Sequence, residues 1–448
     1  MSYNLNVIQE LINEALTSEE FDDLVKNSFP NIQRQFTNEQ TKFQKIQILI
    51  DYVNTHGEID KLLESIKSIN QKVYEEYAPK LLIDDNLVTP EKFEGPPSMA
   101  IPPEELLIAG SAAPAKGTLY PLWFGTNRKA VDRQDISKGF SGERDNKLNY
   151  GICKVAVPKS HKIGSTGSPW WKRLLTLTDD RLKLQSETLQ ILDEAMFWAN
   201  MNQELQEHEI DERSALVFIH GFNVSFEDAA LRAAQIGFDL QVPGIMAFYS
   251  WPSQGKLTDY TVDEATIQAS EKYIAEFLLN LAQKSEIEKI HIIAHSMGNR
   301  GLLRAMQRIV AQVQTASSDN DIAFGQIFLA APDVDTDLFK DLASAYHQLA
   351  ERTTLYVSSK DKALKASAII HEHTRVGFFP PITVVEGIDT VEVSNIDVTL
   401  LGHGYFAEAL TLLEDIKDLL INNTSPQQRQ SISKPSQDGN YWIMGIGK

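Results

Sequence analysis

Ser296 stands in the run Ala294-His295-Ser296-Met297-Gly298, a small-x-Ser-x-Gly pattern that closes the apolar stretch 290–293 and opens into a helix-like pattern. A serine hydroxyl is a weak nucleophile at neutral pH, so it needs a base to take its proton and a position that substrate can reach. A sharp strand-to-helix turn meets the second need by lifting Oγ clear of the sheet, provided the residues two before and two after it stay small. Gly298 fits that demand, and Ala294 takes the place of the more usual glycine. A buried serine at an ordinary strand end can show the same five residues, so the surrounding chain has to decide between the two.

In a serine hydrolase built on an open α/β sheet, the acid and then the histidine follow the nucleophile along the chain. Downstream of Ser296 lie His347, inside a helix-like pattern, His371 and His373 in an irregular segment, and His403 in Leu400-Leu401-Gly402-His403-Gly404-Tyr405. His403 is the candidate general base, because its flanking glycines let the backbone bring the imidazole back to the sheet edge. Two acids follow strand-like runs: Asp361 after the seventh and Asp333 after the sixth. Such carboxyl ends are where α/β sheets collect their sites. Asp361 is preferred as the residue that orients the imidazole, Asp333 is the alternative, and Asp335, Asp337 and Asp397 are weaker options. An oxyanion needs backbone N–H donors, here expected from Met297, directly after the nucleophile, and from Phe222 in His220-Gly221-Phe222-Asn223. His220 and His295 are expected to hold loops rather than exchange protons. The alternating acids of Asp333-Val334-Asp335-Thr336-Asp337 lack the glycine and closing glutamate of a calcium loop, so neither a metal nor a cofactor is expected. Trp170-Trp171, after a Gly/Ser-rich run, suits either an apolar lid or a side-chain pair tucked into the surface.

The elements that must position these residues alternate along residues 119–421. Strand-like runs appear at 120–126, 151–157, 215–220, 245–251, 289–295, 326–331, 353–358 and 390–393, and helix-like ones at 186–201, 226–241, 263–284, 300–313, 338–349 and 405–420. Such alternation predicts a mostly parallel, doubly wound sheet covered on both faces. Residues 1–80 carry a separate helical period, with Ile46, Leu49, Ile50 and Val53, then Ile59, Leu62, Leu63 and Ile66, at helical spacing. They predict a small all-α bundle and an interaction module. Residues 81–118 are rich in proline and suit a semi-extended linker. Residues 422–448 form a polar tail whose Tyr441-Trp442-Ile443-Met444 is suited to docking if it does not fray.

Composition narrows the partners. A formal net charge of −19 disfavours nucleic acid or an anionic membrane surface as the main partner. No stretch reaches the ~18 apolar residues a membrane span requires; peripheral membrane contact stays open. Cys153 stands alone, which excludes an internal disulfide. With no secretory signal visible at the first residues, a reducing cytoplasm is the expected location.

The runs Phe124-Gly125-Thr126-Asn127-Arg128-Lys129, Val157-Pro158-Lys159-Ser160-His161, Val217-Phe218-Ile219-His220-Gly221-Phe222-Asn223, Ser250-Trp251-Pro252-Ser253 and His295–Arg300 resemble a bacterial α/β-hydrolase family of esterase/lipase-like proteins of unknown function. The resemblance implies an α/β-hydrolase fold and a serine triad, not a substrate. Residues 1–80, through Phe21-Asp22-Asp23-Leu24, Phe29-Pro30 and Gly57–Leu63, resemble an effector-associated, death-like adaptor domain. That resemblance implies recruitment or activation through a protein partner or self-association, in a bacterial conflict or anti-phage system. The function expected is hydrolysis of a small-molecule ester or lipid by Ser296. A catalytically silent scaffold acting through residues 1–80 and an amidase or peptidase using the same triad are the alternatives.

Overall fold

The computed structural model describes residues 14–33, 58–78, 117–166, 181–254, 260–315, 323–359, 373–393, 406–435 and 439–445, with short stretches at 2–3, 8, 11–12, 36, 45–46, 48–50, 52–53 and 81–83. The chain divides into two compact units, Met1–Ala109 and Gly110–Lys448.

In the first unit, β1 (Ser2–Tyr3) precedes α1 (Ser18–Ser28), α2 (Pro30–Gln33), α3 (Ile59–Ile69), α4 (Gln71–Tyr77) and β2 (Leu82–Ile83). Thr17 and Glu20 form a capping box that starts α1, satisfying two backbone donors reciprocally. Pro30 then opens α2, where its missing N–H costs nothing. The apolar positions read from the sequence close on one another: Phe21, Leu24, Phe29, Ile46, Leu49, Val53, Leu62 and Ile66 are all buried. β1 pairs antiparallel with β2, so the helical unit extends to residue 83, into the first residues of the stretch read as linker.

The second unit is a sheet of eleven strands: β3 (Thr118–Ala130), β4 (Phe140–Val157), β5 (Lys183–Leu192), β6 (Ser214–Ile219), β7 (Ile245–Ser250), β8 (Lys289–His295), β9 (Phe324–Ala330), β10 (Ala350–Val357), β11 (Ile388–Glu392), β12 (Ile432–Ser433) and β13 (Trp442–Met444). Their spatial order is β12-β13-β11-β10-β9-β8-β6-β7-β3-β4-β5. The seven central strands, from β11 to β3, pair in parallel, and the β3–β4–β5 meander and the β12–β13 pair are antiparallel. Helices α5 (Glu194–Leu205), α6 (Phe226–Leu240), α7 (Tyr260–Lys284), α8 (Gly298–Thr315), α9 (Thr336–Leu342), α10 (Ser344–Leu349) and α11 (Phe406–Asn422) cover it. Side chains alternate across each strand: Val217, Ile219, Ile292 and Ala294 pack with Phe277 of α7 and Leu302 of α8. Leu216, Phe218 and Ile293 face the other way, onto Ala230 and Ala233 of α6 and Leu412 of α11. The result is the expected mostly parallel sheet between two helical layers.

One helix-like reading is corrected. Residues 186–201 do not form a continuous helix: 183–192 form edge strand β5, paired antiparallel with β4. Thr188 Oγ1 accepts from the Lys154 N–H at 2.8 Å where that pairing shifts register. Asp193 then caps α5 by accepting from the Met196 N–H at 2.9 Å. The cap, not the apolar spacing before it, sets where the helix begins.

The polar tail adds to the sheet rather than ending it. β13 lies parallel to β11, and β12 folds back on β13. Beneath them Arg429 donates to both oxygens of Asp415 on α11, with both side chains fully buried, and Tyr356 of β10 donates to the same carboxylate at 2.7 Å. Breaking a buried pair from one side leaves an uncompensated charge and costs about 3–5 kcal/mol. Arg429→Met should therefore lower the unfolding free energy read from urea melts of the full chain by an amount of that order, and an unchanged value would show that the tail carries no such anchor.

Candidate functional site

Ser296 sits on the turn between β8 and α8 with φ 48°, a left-handed conformation that costs a non-glycine residue roughly 1–2 kcal/mol. Three donors converge on its carbonyl and hold it there: the Asn299 N–H at 3.1 Å, Asn299 Nδ2 at 3.0 Å and the Asp333 N–H at 3.2 Å. Asn299 Nδ2 also reaches the carbonyls of Ala294 and Ala330 at 3.1 and 3.4 Å, and the Ser296 N–H donates to Ala330 O at 2.9 Å. The ends of β8 and β9 are thereby tied to the elbow. The small residues are needed sterically: a Cβ on Gly298 would lie 2.4 Å from His220 O, and one on Gly221 would lie 3.0 Å from Ser296 Cβ. Ser296 is half-buried, and its hydroxyl makes no hydrogen bond among the described residues.

Beside the elbow runs the loop after β6, and a buried arginine organises it. Pairing between β3 and β4 shifts from Thr126↔Asn149 to Arg128↔Arg144, an irregularity of the kind that re-aims a side chain at the end of a strand. Arg128, 1% exposed, donates to Ser250 Oγ at 2.8 Å, Ser253 O at 2.9 Å, Val224 O at 2.7 Å and Ser141 O at 3.3 Å, and its Nη2 lies 3.4 Å from His220 Nε2. Burial lowers its pKa to about 9, against Asp263, Asp228 and Tyr249, which act to raise it; it stays charged at neutral pH.

His220 Nδ1 lies 2.8 Å from Gly221 O. A carbonyl only accepts, so the proton sits on Nδ1, and Nε2 accepts from Arg128 and Ser250. Burial first, and then Arg128, hold this imidazole well below its ordinary pKa, and its ring stacks on Trp251 at 5.0 Å. Ser253 Oγ accepts from the Val224 N–H at 3.2 Å and donates to Asp263 at 2.5 Å. Asp263 also accepts from the Gln254 N–H at 2.9 Å and the Asn223 N–H at 3.5 Å. Burial raises its pKa, opposed by these bonds and by Arg128. The N–H groups of Asn223 and Val224 are thus turned inward. Those of Phe222 and Met297 have no acceptor among the described residues.

On the other side of Ser296 lies Asp333, 2% exposed. It accepts from Tyr260 at 2.5 Å and pairs with Arg300 at 3.2 Å and with Arg375 Nε at 3.5 Å. Arg300 donates also to Tyr260 at 2.8 Å, to Glu264 and to the Asp333 carbonyl. Burial alone would lower its pKa, but Asp333, Tyr260 and Glu264 hold it above the ordinary value. The Tyr260 ring meets Phe222 edge-on at 5.3 Å, so one side chain touches both Phe222 and Asp333.

Of the residues named from the sequence, the structure brings together Ser296, Met297, Phe222 and Asp333. Asp361, His403, His371, Asp397 and the pair Trp170-Trp171 lie outside the described residues. His347 and His373 are exposed, Asp335 caps α9, and Asp337 lies in its first turn. Both ring nitrogens of His295 are buried and have no hydrogen-bond partner among the described residues. Sequence reasoning assigned no role to Arg128, Asn299, Arg300, Tyr260 or Asp263. The one available signal was four adjacent polar residues, Thr126-Asn127-Arg128-Lys129, after the apolar part of the strand.

A tight strand-to-helix turn at the carboxyl end of a central parallel strand, within a mostly parallel sheet covered by helices on both faces, is the architecture of the α/β-hydrolase class. A family model described as alpha/beta hydrolase of unknown function (DUF900) matches residues 194–422, and the chain belongs to that family. Effector-associated domain 7 matches residues 8–70. The uncharacterized protein alr1448 of Nostoc sp. (strain PCC 7120) is 24% identical over 315 residues, covering 57% of this chain and 77% of its own. No described helix is long and apolar enough to cross a membrane.

Burial, and to a smaller extent Arg232, lower the pKa of His295 from 6.5 to about 3. The unfolded chain then binds the extra proton first as pH falls, so stability is complete above about 6.5 and declines toward 3. Urea melts of wild type and His295→Gln between pH 7 and 4 should show a shallower decline in the variant; parallel curves would remove His295 from this role.

Proposed function

We propose that this chain is a serine hydrolase of carboxylic esters, including lipid esters, that works through an acyl-enzyme on Ser296. The observation that carries the reading is the elbow itself: a serine held at φ 48° beside the unengaged N–H groups of Phe222 and Met297. In this reaction His403 takes the Ser296 hydroxyl proton as Oγ bonds to the ester carbonyl carbon. The N–H groups of Phe222 and Met297 receive the oxyanion. The imidazolium then protonates the departing alcohol oxygen, and water repeats the sequence to release the acid. Asp361 orients His403 in this scheme, supported by its place after β10. Asp333 is the alternative, supported by its backbone bond to Ser296 O. A cytoplasmic effector role in bacterial conflict or phage defence, switched through a protein partner or self-association, is supported by the effector-associated domain.

Ser296→Ala should abolish hydrolysis of short-chain 4-nitrophenyl esters, a loss on the order of a million-fold in kcat, together with labelling by a fluorophosphonate probe. Labelling that persists in the variant, or wild-type protein that neither labels nor hydrolyses, would overturn the proposal, and the second result would favour a silent scaffold. Asp361→Asn should cost about 10⁴-fold in kcat with the melting temperature unchanged. Near-normal turnover would move the role to Asp333, to be read from Asp333→Asn.

A further inference from the structure

Two arginines near the nucleophile spend their donors fully on the protein: in Arg128 and in Arg300 all three guanidinium nitrogens are engaged. Arg375 differs. It is 5% exposed, yet among the described residues its Nε has no hydrogen-bond partner, and its ionic contact there is Asp333 Oδ1 at 3.5 Å. No guanidinium nitrogen of Arg375 meets an acceptor among the described residues. Burying such a group without acceptors is costly, since guanidinium does not shed its proton and offers five donors.

Its position is fixed by backbone pairing, not by its side chain. Residues 374–377 run against the loop that follows β9: the Thr336 N–H donates to Thr374 O at 3.2 Å, the Val376 N–H to Val334 O at 3.0 Å and the Gly377 N–H to Pro332 O at 2.9 Å. The same loop contacts the nucleophile, because the Asp333 N–H donates to Ser296 O. A guanidinium fork whose donors meet no acceptor among the described residues, and which lies 3.5 Å from the carboxylate of Asp333, whose backbone bonds to Ser296, calls for a ligand that only accepts and carries negative charge. Tyr260 and Arg300 already bind the carboxylate of Asp333 more closely than Arg375 does.

We propose that Arg375 is the anion subsite of the Ser296 centre and that the substrate is an ester carrying a carboxylate or phosphate group near the scissile bond. The proposal rests on the ester-hydrolase reading and names its substrate class.

The test uses the full-length chain with 4-nitrophenyl butyrate as the neutral ester and mono-4-nitrophenyl adipate as its anionic counterpart. A charge-assisted pair predicts that wild type favours the anionic ester in kcat/KM by about tenfold or more. Arg375→Gln should bring that ratio close to one, and Arg375→Lys should retain part of it. Butyl phosphate and butyrate, compared as competitive inhibitors of the neutral reaction, tell which anion the fork prefers. Loss of that inhibition in the Gln variant would support the subsite. A ratio indifferent to Arg375→Gln, or an equal fall for both esters with a lower melting temperature, would overturn it and leave the hydrolase reading intact. If no ester is turned over while calorimetry shows butyl phosphate binding that Arg375→Gln removes, the subsite stands and the hydrolase reading fails.

Discussion

A single buried charge organises the carboxyl end of the central strands around the Ser296 turn. Arg128 has no carboxylate in direct contact, so its guanidinium is paired instead with carbonyls and a hydroxyl drawn from three separate segments: the β3–β4 hairpin, the loop after β6 and the loop after β7. Burying a cation is expensive unless hydrogen bonds replace its water. Each of those segments is therefore constrained by the need to supply an acceptor. Asp263 completes the arrangement one step away, through Ser253, which presents its carbonyl to the arginine and its hydroxyl to the aspartate. Charge balance is thus spread across a serine instead of closing in an ion pair.

That constraint leaves particular backbone donors without partners. Asn223 and Val224 must face Asp263 and Ser253, so Phe222, directly before them, is the residue whose N–H is left on the elbow side. Across the turn, Asn299 and Asp333 pull the Ser296 carbonyl the other way. The strained φ of Ser296 is then held by surrounding bonds and not by its own preference. His220 stays neutral for a related reason: burial disfavours its charged form, and a charged imidazole would in addition oppose the Arg128 cation beside it.

Much of the framework was legible in the sequence because it depends on local signals. The eight strand-like runs all became strands, since apolar residues bounded by turn formers have few other outcomes in an alternating α/β chain. The elbow was legible because its steric demand falls on residues two apart from Ser296. What escaped was non-local. Arg128 lies 96 residues from Val224 and 125 from Ser253, and Tyr260 lies 73 from Asp333, separations at which no spacing rule operates. β5 was misread because Leu189, Leu192 and Met196 also recur at helical spacing, and the partner strand that decides the matter is β4.

The family match begins at residue 194, but the unit that makes the site begins earlier. Without β3 the loop after β6 loses the Arg128 donors to Val224 and to His220. Tyr249 loses Asn127, to which it donates at 2.7 Å. At the far edge β13 depends on β11 and on the Arg429–Asp415 pair beneath it. The compact unit that carries the elbow, Gly110–Lys448, therefore includes strands on both sides of the family match. The effector-associated unit has its own buried core around Phe21, Leu24, Leu49 and Leu62.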